Sequence, residues 1–417
     1  MSTGAKPKIL IVGAFTFSRG EAGSNYAIGL GKALKGTGFC IEYLSKDGDR
    51  ARIREDFREF TCHSAPGRRF LTGWKSAISA LSASDDGLIK WVEQAAAGEF
   101  SAVIAYPGAD STVGFLVRLH RSCLKKGFKL IVYVCEWQPL WRFGDPKLRR
   151  RLAATVDAEI QRRVVNKRIN HVIAVSSFLE RYYRKSGCDV IRIPPLIDAQ
   201  AEKWHCRPAV EGRKQRLTLL FSGSWRRDRL DLITEAILRL RQEGHNVVLE
   251  FLGSGANDFE RNPRIQSQML QAPQGCFRFH GNVPVEKVLP ITASADFGVL
   301  LRDRAKWSDA CFPSKVAEFQ ALGVPLLCNL TSNLEEVLRD GDNALIVPQV
   351  SMAAFVATVK RALALAPAEM HHMKQCSLQC AANRFDYRIY SDPLGRFVLP
   401  LSAPGLLSNR ASGPTQV

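Results

Sequence analysis

The sequence lacks any hydrophobic run long enough to cross a membrane. Its first apolar run, ILIVGAF at residues 9–15, is far shorter than the roughly 20 residues that a membrane-spanning helix needs. It also follows no signal-peptide pattern, because strand-like residues lead directly into the rest of the chain. We therefore expect a protein that is soluble or peripheral to a membrane.

Paired metal and redox motifs are absent as well. The 11 cysteines include no CxxC pair, which favours free thiols in a reducing cytoplasm. The run containing His371, His372, Cys376 and Cys380 lacks standard zinc spacing. The Asp-x-Asp triplets at residues 47–49 and 340–342 each contain a central glycine, so they are interpreted as turns. We expect no metal and no cofactor.

Acidic residues are too few to balance the basic ones. The 58 Lys and Arg residues against 40 Asp and Glu residues give a formal charge of +18, which favours an anionic partner. Phosphorylated small molecules, nucleic acid and an acidic membrane surface all fit this charge. No recognised nucleic-acid motif and no regular basic-aromatic platform is present, so we expect no nucleic-acid partner.

Apolar strands alternating with helical patterns are abundant. Runs such as KILIVG, SAVIAYP, KLIVYVCE and HVIAVS precede a polar stretch at residues 198–216, and LTLLFSG, VVLEFLGSG, FGVLL and ALIVP follow it. This alternation predicts an α/β protein with two doubly wound parallel sheets. We predict domains at 1–200 and 201–385 that face a central cleft, a C-terminal segment at 386–400 and a disordered tail at 401–417.

Two loops that precede helices are candidates for phosphate binding. In GAFTFSRGEAGSNYA, Gly23 lies in the loop just before a helix predicted over residues 24–34, and Ser24 begins that helix. Free backbone N–H groups at a helix start can bind an anion. The run is not GxGxxG, and a tight turn explains its glycines almost as well. In FSGSWRRDR, Gly223 precedes Arg226, Arg227 and Arg229. These arginines can clamp a diphosphate, although a solvated basic loop is the alternative.

The stretch FPSKVAEFQALGVPLL predicts a helix over residues 313–322, since Pro313 suits a first turn and Gly323 a C-terminal cap. Ser314 and Lys315 at its start offer donors and charge to a phosphate. Glu318 lies about one turn further on, where its carboxylate can accept from two adjacent hydroxyls such as those of a ribose. The alternative is a solvent-facing acid.

Taken together, these motifs resemble the family 4 glycosyltransferases of the GT-B fold. The resemblance spans residues 8–390 and includes HVIAVSSFLERYYRKSG, RIPPLID, FRFHGNVP and LEEVLRDGDNALIVP. It implies a retaining, metal-independent transfer from a nucleotide diphosphate sugar to a glycan or lipid-linked acceptor. It also implies that segment 386–400 packs back on the N-terminal domain.

The resemblance assigns roles to particular residues. Glu318 matches the second Glu of the family's E-x7-E motif, which holds the ribose, and Arg229 is a closer match than Arg226 to the Lys on the diphosphate. Gly223 allows a close approach to the phosphates. Asn282 and Val283 fall where the family contacts the base through its backbone.

Two departures from the family pattern concern catalysis. The first Glu of E-x7-E is replaced by Ala310, and either Asp309 or backbone groups of the loop WSDACF can substitute for it. Glu136 stands near a position where many members have a His, and it can orient the acceptor or the sugar. The alternative function is therefore a nucleotide-sugar-binding protein that has lost catalysis.

A basic amphipathic helix is predicted over residues 147–168. Its apolar residues recur every four positions at Leu148, Leu152, Val156, Ile160 and Val164. With the basic-aromatic run RRFLTGWK at residues 68–75, it suggests contact with anionic lipid. An ordinary packed helix with a solvated face explains the pattern equally well.

Overall fold

The computed structural model describes residues 6–13, 15–18, 22–46, 53–65, 87–106, 113–137, 155–205, 216–223, 227–253 and 263–399. Within these ranges the chain forms two sheets, one of seven strands and one of six. Within each sheet, all the strand pairs are parallel. The predicted fold class, two doubly wound α/β units, is confirmed.

The first sheet has the strand order β3-β2-β1-β4-β5-β6-β7. Its strands are β1 Lys8–Gly13, β2 Cys40–Ser45, β3 Thr61–Ser64, β4 Phe100–Tyr106, β5 Lys129–Val134, β6 His171–Ala174 and β7 Asp189–Arg192. The helices described with it are α1 Ala22–Gly36, α2 Glu55–Arg58, α3 Gly87–Gln94, α4 Val113–Lys126, α5 Asn166–Ile169 and α6 Ser177–Arg184. A π-helical turn, Gln161–Val165, precedes α5.

The second sheet has the order β10-β9-β8-β11-β12-β13. Its strands are β8 Leu217–Ser222, β9 Val247–Leu252, β10 Phe277–Gly281, β11 Phe297–Leu300, β12 Leu326–Cys328 and β13 Ala344–Ile346. The helices are α7 Leu230–Gln242, α8 Pro263–Leu270, α9 Val285–Ala293, α10 Lys306–Ala310, α11 Lys315–Ala321, α12 Met352–Ala364, α13 Pro367–Cys380 and α14 Tyr387–Val398.

The burial of a strand determines whether it can be recognised from its sequence. The central strand β1 has residues 9–12 fully buried, as a parallel strand covered on both faces requires. The edge strand β3, sequence TCHS, has no buried residue and was not predicted. It is short and polar, so nothing in its composition separates it from a loop.

Two helices begin at different residues from those predicted. Helix α1 begins at Ala22, which places Gly23 inside its first turn rather than in the preceding loop. A side chain at Gly23 would approach the Tyr106 ring to 3.1 Å, so the glycine permits close packing there. Helix α11 begins at Lys315 and ends at Ala321, and Gly323 follows it with φ +65°.

The C-terminal helix α14 lies against the first sheet's unit. The Lys129 Nζ donates to the carbonyl oxygen of Phe397 at 2.6 Å, and Ile197 forms a parallel bridge with Asp386. The residues of α14 and of α1 also approach closely, since a Cβ at Gly36 would lie 3.2 Å from Ser391 Oγ. The exact domain boundaries stay a prediction. The stretch 401–417 lies outside the described residues.

In the described part of the chain, no helix combines the length and the apolar character that a membrane crossing demands. Of the predicted amphipathic helix at 147–168, residues 155–168 are described and are helical. The run at residues 68–75 and the triplet at residues 47–49 lie outside the described residues. The triplet at residues 340–342 is a turn, with Gly341 at φ +84°, as predicted.

Candidate functional site

The two sheets meet through hydrogen bonds near the carboxyl ends of their strands. Ser176, which follows β6 and caps α6, donates from Oγ to the carbonyl oxygen of Ala310 at 2.8 Å. Tyr26 on α1 donates from its hydroxyl to the carbonyl oxygen of Phe312 at 3.2 Å. The loop between α10 and α11 is therefore held by side chains of the first unit.

Glu318, on α11, lies at this junction and is not an isolated surface acid. Its Oε1 accepts from Asn25 Nδ2 on α1 at 3.1 Å, and its Oε2 accepts from Lys315 Nζ at 2.9 Å. Only 15% of its side chain is exposed. Both oxygens keep further acceptor capacity, so the carboxylate is positioned to receive hydroxyl donors from a ligand in the cleft.

Arg227 and Glu136 form an ion pair between the two units. Glu136 follows β5, Arg227 follows β8, and Arg227 Nη2 lies 3.0 Å from Glu136 Oε1. Burial by itself lowers the pKa of Arg227, but the Glu136 carboxylate outweighs it, so the pKa of Arg227 is raised. About a third of each side chain remains exposed, which leaves the guanidinium accessible to an anion in the cleft.

Arg229, unlike Arg227, pairs with two acids of its own unit. Its guanidinium donates twice to Asp231, at 2.9 Å each, and once to Asp303 at 3.0 Å. The hydrogen bonds to Asp231 and Asp303 raise the pKa of Arg229. A diphosphate would have to compete with two carboxylates for this side chain, whereas in the described part of the chain one carboxylate, that of Glu136, pairs with Arg227.

A buried ion pair supports the segment that carries these arginines. Asp228 accepts from Arg302 Nε at 3.1 Å, and the exposed fractions of the two side chains are 4% and 10%. Burial raises the pKa of Asp228 despite the adjacent guanidinium of Arg302. The Arg302 backbone is in turn fixed by Asn329, which accepts from its N–H at 2.8 Å.

The other predicted site residues are distributed around this junction. Ser24 is fully buried and donates to the Thr16 carbonyl oxygen at 2.7 Å, so its hydroxyl orders the loop after β1. Gly223 directly follows β8 and has φ +121°, a conformation that favours glycine. Asn282 and Val283 follow β10, and Ser314 immediately precedes α11. Arg226 lies outside the described residues.

Asp309 is on α10, next to the Ala310 that replaces the first Glu of the motif. Its Oδ1 accepts from the backbone N–H of Ser332 at 3.4 Å. Ser332 has φ +58°, an uncommon conformation for serine. The acid that lies next to the missing Glu is therefore held toward the loop after β12.

Aromatic and thiol groups surround Glu136. The ring centroids of Tyr26, Tyr106 and Tyr133 are 5.6–6.3 Å from one another. Cys135 donates from Sγ to the Tyr106 hydroxyl at 3.5 Å. Burial, with a smaller effect from Glu136, raises the pKa of Cys311 to about 11. These groups are neutral at physiological pH, so the charges at the junction are those of the acids and arginines.

Sequence reasoning missed Asn25, Tyr26 and Ser176, which join the two units. Ser176 had a usable signal, because a polar residue at the carboxyl end of a parallel strand lies at the edge where sites form. Asn25 and Tyr26 lacked one, since both occur within an ordinary helix start.

Comparison with known proteins agrees with this architecture. Residues 216–364 match the family described as glycosyl transferases group 1. Sucrose-phosphate synthase (tll1590) from Thermosynechococcus elongatus has a TM-score of 0.68 at 14% identity, with 94% of this chain and 98% of that chain covered. Alr3699/HepE from Anabaena, in complex with UDP-glucose, has a TM-score of 0.61 at 13% identity, with 93% and 98% covered.

WaaG, described as a glycosyltransferase involved in lipopolysaccharide biosynthesis, has a TM-score of 0.57 at 14% identity, with 93% of this chain and 99% of that chain covered. None of the curated proteins compared with the chain matches it. At these identities the solved structures show the GT-B fold, and the family match covers residues 216–364. The predicted fold is confirmed, and the family match agrees with the predicted resemblance.

The buried Asp228 and Arg302 pair generates a stability prediction. We expect Arg302→Met to lower the free energy of unfolding by about 3–5 kcal/mol, because it leaves a buried carboxylate without its partner. Arg239→Met is the matched control, since it breaks an exposed pair with Glu243 and should cost less than about 1 kcal/mol. Urea denaturation measures both changes; equal stability of the two variants would contradict the assignment.

Proposed function

We propose that this chain, which belongs to the glycosyl transferases group 1 family over residues 216–364, is a retaining glycosyltransferase that uses a nucleotide diphosphate sugar. The observation that carries the proposal is Glu318, which faces the first unit across the cleft within hydrogen-bonding distance of Asn25 and Lys315. Alr3699/HepE, which shares the fold, was solved with UDP-glucose bound.

In this proposal the second unit holds the nucleotide. Glu318 accepts hydrogen bonds from the two ribose hydroxyls, either beside Asn25 or in its place. The backbone of Asn282 and Val283 contacts the base at the end of β10. A base held mainly by backbone groups leaves little trace in side-chain identity, so the sequence does not select among nucleotides.

Positive side chains hold the diphosphate. Arg227 and Lys315 keep some exposed surface at the junction. Gly223 has no side chain to obstruct a close approach of the phosphates, and Ser314 offers its hydroxyl immediately before α11. Arg226 and Arg229 complete the predicted set. Because these groups supply the charge that a bound cation would otherwise provide, we propose that transfer is independent of metal.

Glu136 and Asp309 are the acids proposed to act on the sugars. When a diphosphate pairs with Arg227, Glu136 loses its partner in the junction and becomes available to the acceptor hydroxyl. Asp309 lies beside the position of the missing first Glu and is proposed to contact the donor sugar. The alternative, a protein that binds nucleotide sugars without transfer, is favoured by Ala310 at that position.

An exposed apolar stripe supports a lipid-linked acceptor. Val156, Ile160 and Val164, spaced by four residues, have exposed fractions of 56%, 42% and 46%, and Arg163 and Arg168 are exposed beside them. An ordinary packed helix would bury such a stripe. We propose that this stripe lies on an anionic membrane at the cytoplasmic face. WaaG, which shares the fold, is described as a glycosyltransferase involved in lipopolysaccharide biosynthesis.

The ribose assignment is tested by calorimetric titration with UDP, GDP, ADP, CMP and dTDP at fixed moderate salt. We expect one nucleotide to bind in the micromolar range, and Glu318→Ala to weaken it at least tenfold, about 1.4 kcal/mol. Glu335→Ala removes an exposed acid of a 3-10 turn and serves as the control that should bind normally.

Two outcomes would decide against parts of this proposal. Equal binding by Glu318→Ala and the unmodified chain would remove Glu318 from the nucleotide site. Tight nucleotide binding combined with release of nucleoside diphosphate no faster than in buffer, across donors and acceptors, would support the binding-protein alternative instead.

The ion pair of Arg227 and Glu136 generates a second prediction. Glu136→Gln should strengthen nucleoside diphosphate binding by up to about fivefold, because it removes a competitor for Arg227 that is worth at most about 1 kcal/mol. The same change should lower kcat, since the acid that orients the acceptor is lost. Titration and steady-state turnover measure the two effects. Unchanged affinity and unchanged kcat together would exclude Glu136 from the site.

Membrane contact is tested with vesicles. Replacing Val156, Ile160 and Val164 by serine should abolish cosedimentation with vesicles rich in anionic lipid, because the buried apolar area is lost. Leu270→Ser, which removes the 82% exposed leucine of α8, is the control and should bind like the unmodified chain. Equal binding of the triple variant, or equal binding to zwitterionic vesicles, would contradict this surface.

A further inference from the structure

Two sequence features without a role in the proposed function come together on the second unit. The turn after residue 339 presents Asp342, and the helix α13 presents His372 and Cys376 on adjacent turns. His372 Nε2 lies 3.5 Å from Asp342 Oδ1 and 3.4 Å from Cys376 Sγ. Among the described residues these three form the group whose ligand atoms all lie within 4.8 Å of one another. We call them the Asp-His-Cys cluster.

The separations in the cluster match those of ligands on one metal ion. Zinc binds nitrogen and oxygen at about 2.0–2.2 Å and thiolate sulfur at about 2.3 Å in tetrahedral geometry. Neighbouring ligand atoms on such an ion are therefore about 3.3–3.7 Å apart. The distances from His372 Nε2 to Asp342 Oδ1 and to Cys376 Sγ, 3.5 and 3.4 Å, both fall in that range, so one ion can contact all three side chains with small adjustments.

The elements that carry the cluster are firmly held. His372 and Cys376 are four residues apart on the regular helix α13, so they share one face. The turn is fixed by buried Asn343, which accepts from the Arg339 N–H at 2.8 Å and donates to Gln320 Oε1 at 2.8 Å. Rigid elements of this kind let a metal site keep its geometry.

We propose that the Asp-His-Cys cluster binds a zinc ion, with water as the fourth ligand. A set of imidazole, thiolate and carboxylate favours zinc over magnesium or calcium, which prefer oxygen ligands. Bound zinc joins α13 to the turn before β13. Asp342 precedes the amino end of β13, so the ion lies at the opposite edge of the sheet from the candidate site and takes no part in sugar transfer.

Sequence spacing conceals this site. The neighbouring cysteine Cys380 does not belong to it, because Cys380 is buried and its Sγ donates to the Val337 carbonyl oxygen at 3.3 Å. His371 is exposed on α13 and outside the cluster. The third ligand comes from a turn 30 residues earlier than His372, which a local motif cannot reveal.

The test is zinc titration of the full chain without an affinity tag. We expect His372→Ala and Cys376→Ser each to weaken zinc binding at least tenfold, and His371→Ala to leave it unchanged. Cobalt should give a thiolate charge-transfer absorption that Cys376→Ser abolishes. Zinc should also protect Cys376 from alkylation, as mapped by mass spectrometry, and raise the midpoint of thermal unfolding of the unmodified chain.

Zinc binding by Cys376→Ser that equals binding by the unmodified chain would overturn the proposal. So would protection of a different cysteine with Cys376 still alkylated. A chain that binds zinc here but no nucleotide would separate this inference from the proposed function, because the cluster shares no residue with the candidate nucleotide site. Far-ultraviolet circular dichroism of each variant confirms that the fold persists.

Discussion

The candidate site depends on hydrogen bonds that hold the loop between α10 and α11 from the opposite unit. Ser176 and Tyr26 bind the carbonyl groups of Ala310 and Phe312, and both donors are buried. A buried hydrogen bond whose partner is lost leaves a costly unsatisfied group. The arrangement of the two units is therefore specified at this loop, and Glu318 lies just beyond it.

The charged groups at the junction are paired. Arg227 is balanced across the cleft by Glu136, and Glu318 is balanced by Lys315 on its own helix and accepts a hydrogen bond from Asn25 of the first unit. A partly exposed pair is worth little on its own, so an anionic ligand with several oxygens can displace Glu136 at small cost. The pairs that order the junction can therefore exchange partners, and in the proposed function donor binding would release Glu136.

Sequence patterns predicted the parallel strands well, because continuous apolar runs such as residues 9–12 identify buried strands. They also placed Glu318 and Lys315 correctly on one short helix. They favoured Arg226 and Arg229 after β8 and did not single out Arg227, because the partners of Arg227 and Arg229, which are Glu136 for the first and Asp231 with Asp303 for the second, cannot be read from the sequence. Asn25 is 293 residues from Glu318, and such pairings follow from the packing of two units rather than from any local pattern.

The short edge strand β3 was not predicted for a related reason. Its pairing with β2, and not its own composition, makes it a strand.

The position of the missing first Glu of the motif is buried at the junction of the two units. Ala310 is fully buried and its carbonyl oxygen is the acceptor for Ser176, so a glutamate there would place an ionised carboxylate in a dry junction, which is costly without donors. Asp309 is only partly buried and is already oriented by the Ser332 N–H. An acid one position earlier avoids this burial cost. The alanine at residue 310 is therefore consistent with the close docking of the two units, and contact between Asp309 and the donor sugar stays a proposal.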